Sequence, residues 1–320
     1  MKQAASTGEL AAWRASLGQG IVPAVVAGTF DILQPGNAFA LRRAAEQSPP
    51  VCVLVESDAL AKTHTSQGRP QNGLAARMEL VSRLRAVRVV TVVDAATASS
   101  LFHQLAPCVL VVAREQRSSD VPAAAAAGAG AGMVELDIVP GCFTEEIRAA
   151  IASGRTPLKL PEGSCSGADA GPAVAPGPRS GRRLVTVNGC FDVLHVGHAR
   201  FLEQARALGT ELIVLLNDDA SVSAYKGTTR PVFPLAFRMA ALRMFECVTD
   251  VVPFSGGNPL EALARLRPDV HVKGGSFEPD RVRQERELVE SWGGSLVGTP
   301  LVEGYSTTKY IQSAAAQPPS

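Results

Sequence analysis

Short apolar runs alternate with amphipathic stretches along most of this chain. In its C-terminal half the apolar runs are Arg183–Val187, Glu211–Leu216, Asp250–Phe254, Asp269–Lys273 and Ser295–Thr299. Most are apolar nearly throughout rather than at every second residue, the pattern of parallel strands buried on both faces. Between them, apolar residues recur at helical spacing in Ala199–Leu208, Leu235–Cys247, Pro259–Leu266 and Asp280–Trp292, and a last helix begins at Ser306. Strands alternating with helices predict an α/β fold, a Rossmann-like parallel sheet with helices on both faces and ligands at the strand carboxyl ends. The N-terminal half opens with a short helical stretch, Gly8–Leu17, and a strand-like run, Ile21–Val26.

The two halves repeat one another. Gly28-Thr-Phe-Asp31-Ile-Leu-Gln34-Pro-Gly36-Asn37 lies 161 residues before Gly189-Cys-Phe-Asp192-Val-Leu-His195-Val-Gly197-His198, and the offset persists without a gap. Asp58 matches Asp219, Arg69-Pro70 matches Arg230-Pro231, Arg77-Met78 matches Arg238-Met239 and Pro107 matches Pro268. Repetition on this scale predicts two copies of one fold. The boundaries read as a tail over 1–20, a degenerate copy over 21–153, a flexible linker over 154–181, a catalytic copy over 182–314 and a tail over 315–320. The linker is assigned because Gly154–Gly181 is rich in Gly, Pro, Ser and Ala and has no hydrophobic period. Gly128-Ala-Gly130-Ala-Gly132 imitates a dinucleotide loop, but Met133 stands where a third glycine belongs; it reads as a loop entering a strand over Met133–Asp137.

Composition narrows the class. The chain has 320 residues, 46% of them hydrophobic and 19% charged, with a net charge of +1. That balance fits a soluble protein without a nucleic-acid or anionic-membrane partner. No secretion signal or run of about 18 apolar residues is present, so a cytoplasmic location is expected. Cys52, Cys108, Cys142, Cys165, Cys190 and Cys247 form neither a Cys-x-x-Cys nor a zinc pattern, and read as buried or incidental thiols.

The candidate chemistry gathers where the strand Arg183–Val187 runs through Asn188 into the following helix. A glycine-bearing turn there aims backbone N–H groups and a helix dipole at an anion. His195 and His198 add side-chain donors, and Gly197 leaves room for a nucleotide against the backbone. Lys226, Arg238 and Lys273 fall at the same strand ends. No serine or cysteine is paired with a base, and the Walker Gly-x-x-x-x-Gly-Lys-[Ser/Thr] is missing. Donors and cations without a nucleophile suit attack of one bound phosphate on another, where the protein positions reactants and stabilises charge. In the first copy Gln34 and Asn37 replace the histidines, Thr65 replaces Lys226, and Val112-Ala-Arg114 replaces Lys273-Gly-Gly275. That copy reads as folded and catalytically silent, with His64 as a surface residue. Asp192, kept as Asp31, is expected to hold the motif turn in part, and His271 to be a core or sheet residue. Asp218 and Asp219 read equally as caps of the next turn.

These motifs identify a resemblance. The second copy is similar to the nucleotidyltransferase superfamily marked by His-x-Gly-His and a C-terminal Ser/Thr-rich signature. Lys226-Gly-x-x-Arg-Pro-Val-x-Pro, Arg267-Pro-Asp-Val-x-Val-Lys273-Gly-Gly and Gly304-x-Ser-Thr-Thr308 further resemble the adenylyltransferase domain of bacterial ADP-heptose synthases, over about Arg183 to Ala314. The family's usual Lys-Gly-Gly-Asp-Tyr reads Lys273-Gly-Gly-Ser276-Phe277 here. The resemblance implies that ATP and D-glycero-β-D-manno-heptose 1-phosphate are joined. It implies catalysis by His195, His198 and Lys226, and nucleotide binding by Asn188, Gly189, Cys190, Phe191, Asp192, Gly197, Arg238, Lys273, Gly274, Ser306, Thr307 and Thr308. Asn217, Asp218 and Lys226 would bind the sugar phosphate, with Arg238 and the Ser306–Thr308 backbone on the leaving phosphates. Mg²⁺ would ride on phosphates and water, with no protein residues assigned to it. The family often carries a sugar kinase domain at its N-terminus; a sister copy occupies that half here, so kinase activity is not implied.

Two other readings stay open: a CTP-dependent cytidylyltransferase for a small phosphoalcohol or phosphonate, and a non-catalytic nucleotide-binding regulator. Relatives of this fold form dimers, so an intramolecular pseudo-dimer of the two halves is expected, with further homo-oligomers left open.

Overall fold

A computed structural model describes residues 6–65, 70–106, 108–113, 120–136, 147, 150–151, 153–154, 181–275, 282–300, 305, 307 and 310–312. The expected linker, apart from its flanks, and the expected C-terminal tail lie outside the described residues. The chain divides into two compact units at Thr144/Glu145.

In the first unit, strands β1 (Ala24–Gly28), β2 (Val51–Glu56), β3 (Val87–Val93), β4 (Val109–Ala113) and β5 (Gly132–Leu136) form one parallel sheet in the order β3-β2-β1-β4-β5. The elements between them are α2 (Pro35–Gln47), α3 (Asp58–Lys62), α4 (Leu74–Ser82), α5 (Ala98–Leu105) and α6 (Asp120–Gly128). All six β2 residues are buried, which is why the sequence shows an apolar run there instead of alternation. The N-terminal segment is not a loose tail. Its helix α1 (Thr7–Ser16) is closed by a Ser6–Glu9 capping box, buries Leu10 in the core with Phe102 and Leu105, and donates from Arg14 Nε to the Leu105 carbonyl at 2.9 Å. The cap and the buried leucine contribute roughly 1 and 1.5–3 kcal/mol towards docking this helix.

The second unit repeats the plan. Strands β6 (Leu184–Gly189), β7 (Glu211–Asn217), β8 (Asp250–Phe254), β9 (Val270–Gly274) and β10 (Ser295–Thr299) are ordered β8-β7-β6-β9-β10. The helices are α7 (Val196–Arg206), α8 (Asp219–Lys226), α9 (Leu235–Arg243), α10 (Leu260–Leu266) and α11 (Arg283–Glu290). Leu184, Ile213, Leu215, Leu263 and Val289 form core on one face of the sheet.

Two differences from the sequence reading concern the site. Helix α7 begins at Val196 rather than Ala199, so the histidine motif caps the helix and fills its first turn. Tyr225 and Lys226 end helix α8 instead of lying in a loop, because Asp218 N-caps that helix by accepting from the Ser221 N–H at 2.7 Å.

In both sheets the chain moves from the central strand to one side and then crosses to the other. The loops after β6 and β9 therefore diverge and leave a crevice at the carboxyl ends of adjacent strands. Val185 and Val187 pair in register with Val270 and Val272, so Asn188 and Lys273, one residue further along each strand, flank that crevice.

Candidate active site

The turn from β6 to α7 is strained. Phe191 has φ 43°, as does its counterpart Phe30 at φ 53°, a left-handed conformation that is rare for bulky residues. The twist folds the Phe191 ring back over Gly189, where a Cβ would meet it at 3.0 Å. The ring then lies 5.4 Å from that of His198 and 6.4 Å from that of Phe201. Gly197 is equally constrained: a Cβ there would stand 2.9 Å from Tyr305 and 3.0 Å from the His195 ring.

His195 is the N-cap of α7 and His198 lies in its first turn. Their rings stack with centroids 3.9 Å apart and planes 26° from parallel. Tyr305 stacks on the outer side of His195 at 6.2 Å, with the Arg200 guanidinium 5.6 Å over the tyrosine ring. The His195 backbone N–H donates to His198 Nδ1 at 3.4 Å, so the His198 proton sits on Nε2. His195 Nδ1 is buried and has no hydrogen-bond partner among the described residues.

Both imidazoles are held neutral. Burial lowers the His195 pKa from its usual 6.5 to about 4. His198 falls well below its usual value, through burial first and then the charges of His195 and Arg230. At neutral pH the pair therefore offers N–H donors without carrying charge. The same shift has a stability consequence: between pH 6.5 and about 4 the unfolded chain binds the His195 proton and the folded chain does not. Stability is full above 6.5 and declines as pH falls towards 4. Thermal unfolding followed from neutral pH down to pH ~4 should show this decline, shallower in His195→Gln; an unchanged slope would mean that His195 titrates normally.

Two residues expected on the nucleotide serve the scaffold. Asp192 is buried and accepts from Arg230 Nε at 2.6 Å and from the Val232 and Phe233 N–H groups at 2.8–2.9 Å. Asp31 does the same in the first unit with the N–H groups of Gln71 and Asn72. Arg238, expected on the leaving phosphates, is fully buried. It donates to the carbonyls of Phe233, Cys190 and Asn217 at 2.8–3.0 Å and to Asp219 at 2.6 Å. Arg77 binds the equivalent Asn72 and Thr29 carbonyls and Asp58. A guanidinium spent on four acceptors within the fold is a strut between α9, the motif turn and the end of β7.

The other expected residues divide. Lys273 Nζ donates to Asn188 Oδ1 at 2.7 Å and lies 2.5 Å from Glu285 Oε2. Gly274 is packed by the Phe201 ring at 3.1–3.4 Å from where a Cβ would be. Lys226 is exposed at the end of α8, its ammonium 4.6 Å over the Tyr225 ring. Thr307 Oγ1 donates to the Val193 carbonyl at 3.3 Å, tying this C-terminal residue to the motif loop. Ser306 and Thr308 lie outside the described residues. Cys190 is partly buried, and burial raises its thiol pKa against the pull of nearby cations, so it is no thiolate nucleophile. The sequence reading missed Tyr305 and Arg200, which lie inside or beside the motif phrases but carry no phosphate-binding signal of their own, and Glu285, which no spacing ties to the motif; it gave Arg230 no role.

In the first unit a buried carboxylate stands at the corresponding strand end. Where β7 ends in Asn217, β2 ends in Glu56, fully buried, accepting from Thr29 Oγ1 at 2.7 Å and lying 2.9 Å from His64 Nε2. His64 is therefore bonded to a buried carboxylate and is not a plain surface residue.

A parallel sheet with a strand–histidine–helix crevice at its switch point defines a nucleotide-handling α/β protein. The profile of the cytidylyltransferase-like family matches residues 25–126 and 186–313, and the chain belongs to that family, of nucleotidyltransferase-type enzymes. Curated relatives include the bifunctional proteins HldE of Methylococcus capsulatus (43% identical over 169 residues, 53% of this chain and 35% of the relative) and Halorhodospira halophila (45% over 139 residues, 43% and 29%). That of Geotalea uraniireducens is 47% identical over 132 residues, 41% of this chain and 27% of the relative. The chain spans about a third of the length of these relatives. Among the described residues no helix is long and apolar enough to cross a membrane.

Proposed function

We propose that the second unit is an adenylyltransferase joining ATP to a sugar 1-phosphate of the D-glycero-β-D-manno-heptose 1-phosphate kind, giving an ADP-sugar and pyrophosphate. The observation that carries the reading is the stacked, neutral His195–His198 pair at the mouth of α7, replaced by Gln34 and Asn37 in a unit of the same topology. The motif phrases around Lys226, Lys273 and Gly304 and the relatives named HldE support the choice of substrates.

In this reaction a sugar-phosphate oxygen forms a bond to the α-phosphorus of ATP. The bond from that phosphorus to the oxygen bridging to the β-phosphate breaks, and pyrophosphate leaves with the electron pair. His198 Nε2–H and the His195 ring donate to the α-phosphate oxygens as charge builds on them, each such donor being worth on the order of 10²–10³ in rate. The first-turn N–H groups of α7 add their dipole. Lys226 receives the incoming sugar phosphate. Mg²⁺ would neutralise charge on the triphosphate. Among the described residues no three His, Cys, Asp or Glu side chains converge on a point, and the donors lining the crevice suit phosphate oxygens rather than a cation, so the ion would ride on the substrates.

Pyrophosphate release from the full chain, with four nucleoside triphosphates against a panel of sugar 1-phosphates and phosphoalcohols, tests the reading. ATP with a heptose 1-phosphate should be preferred. CTP with a phosphoalcohol would replace that reading with a cytidylyltransferase, and tight ATP binding with no turnover would make the protein a regulator. The buried Glu56 opposes phosphate in the first unit, so calorimetry should find one ATP site per chain, lost in the His195→Gln/His198→Asn variant. Two equivalent sites would sink the silent role of the first unit.

A further inference from the structure

Lys273 belongs to a buried polar chain that the first unit lacks entirely. Thr186 Oγ1 lies 2.8 Å from His271 Nδ1, His271 Nε2 lies 3.3 Å from Glu285 Oε2, and that oxygen lies 2.5 Å from Lys273 Nζ, which donates to Asn188. Thr186 and His271 are fully buried and Glu285 is nearly so. The first-unit residues at the same 161-residue offset are Val25, Leu110, Val112 and Ala27, and the buried helix position equivalent to Glu285 is Pro122, two residues out of that offset because Ser295 pairs with Val270 as Gly132 pairs with Val109. Both sheets have the same strand order, so this fold closes without any of the five polar groups. Burying a carboxylate and a histidine beside a half-buried lysine, where apolar residues suffice, is costly unless the arrangement serves something besides stability.

The chain runs in one direction, towards the crevice. Glu285 Oε2 faces His271 Nε2 at 3.3 Å, an ionic contact rather than an aligned hydrogen bond, and His271 Nδ1 is within hydrogen-bond distance of the Thr186 hydroxyl. Burial pushes the Glu285 carboxyl up, but the His271 contact and the Lys273 charge outweigh it and hold the group below its usual range. An anionic Glu285 fixes the Lys273 ammonium at the end of β9. The ammonium in turn occupies Asn188 Oδ1, which turns the amide so that its N–H groups are offered away from Lys273.

Resting on the nucleotidyltransferase reading above, we propose that Glu285, backed by His271 and Thr186, is a positioning residue: it holds Lys273, and through it the Asn188 amide, in the orientation that the nucleotide requires. Glu285 acts only through Lys273, so its loss should cost nothing once Lys273 is gone.

The test is a double-mutant cycle in the full chain: Glu285→Ala, Lys273→Ala and the pair, read as kcat and KM for ATP in pyrophosphate release, with melting curves as the fold control. Each single variant should lose about 10- to 100-fold in kcat/KM, the scale of a group displaced by about an ångström. The pair should lose no more than Lys273→Ala alone. Thr186→Val/His271→Leu/Glu285→Ala, which installs the first unit's residues at the two strand positions, should melt like the parent and match Glu285→Ala in activity. Additive losses in the pair, or a full-activity Glu285→Ala beside an impaired Lys273→Ala, would overturn the proposal while leaving the site reading intact. An active Lys273→Ala would overturn it by removing Lys273 from the site. If the parent releases pyrophosphate from no substrate pair, the same cycle read as ATP affinity by calorimetry decides the positioning role apart from the reaction.

Discussion

Replacing His195 by Gln and His198 by Asn should lower turnover by ~10³-fold or more and leave the fold intact. On the proposed mechanism the size follows from removing two donors to the charge developing at one phosphorus, each worth on the order of 10²–10³ and together less than their product because they would serve the same oxygens. Retention of the fold follows from the first unit. There Gln34 is the N-cap of α2 and both Gln34 and Asn37 are buried, so this strand–turn–helix already accepts the two amides. Steady-state rates and melting curves on the same preparations make the comparison. A variant that turns over near the parental rate would remove the histidines from the chemistry, and one that fails to fold would mean that the two turns are not equivalent.

Arg238→Ala should lower stability by on the order of 3–5 kcal/mol, since it leaves three backbone carbonyls and Asp219 without their donor, at about 1–3 kcal/mol for each acceptor that stays buried. Arg77→Ala carries a cost of the same order in the first unit, where Arg77 binds the matching carbonyls and Asp58. The pair separates structure from ligand binding, because no phosphate role is assigned to Arg77. Urea unfolding of both variants reads the result. An Arg238→Ala chain of parental stability with a raised KM for ATP would return Arg238 to the leaving phosphates.

Arg238 also shows where sequence reading errs. An arginine on an amphipathic helix near a phosphate motif offers no sign of whether its guanidinium faces the ligand or the fold. Its presence as Arg77 in a copy without the histidines was the one available signal, and it pointed to structure. Asp192, kept as Asp31, was read in part that way, and the clasp in both units agrees. Glu285 left no signal at all. It sits on a charged helix among other acids, and its partners His271 and Lys273 come from a strand more than ten residues away.

By itself the sequence determined the α/β alternation, the doubling of the fold and the location of the histidine motif between a strand and a helix. Each of these is written in local spacing: apolar runs of strand length, apolar recurrence at helical period, and a constant offset between copies. Tertiary structure alone decided which polar residues face the crevice and which brace it. It paired Arg238 with three carbonyls, closed Asp192 on Arg230, stacked Tyr305 on His195 and led a buried chain from Thr186 to Asn188. Those pairings join positions far apart in the chain, and a side chain's partner in the folded state depends on which strands lie side by side. The parallel register of β6 with β9 sets Asn188 beside Lys273, and no spacing along the sequence encodes that neighbourhood.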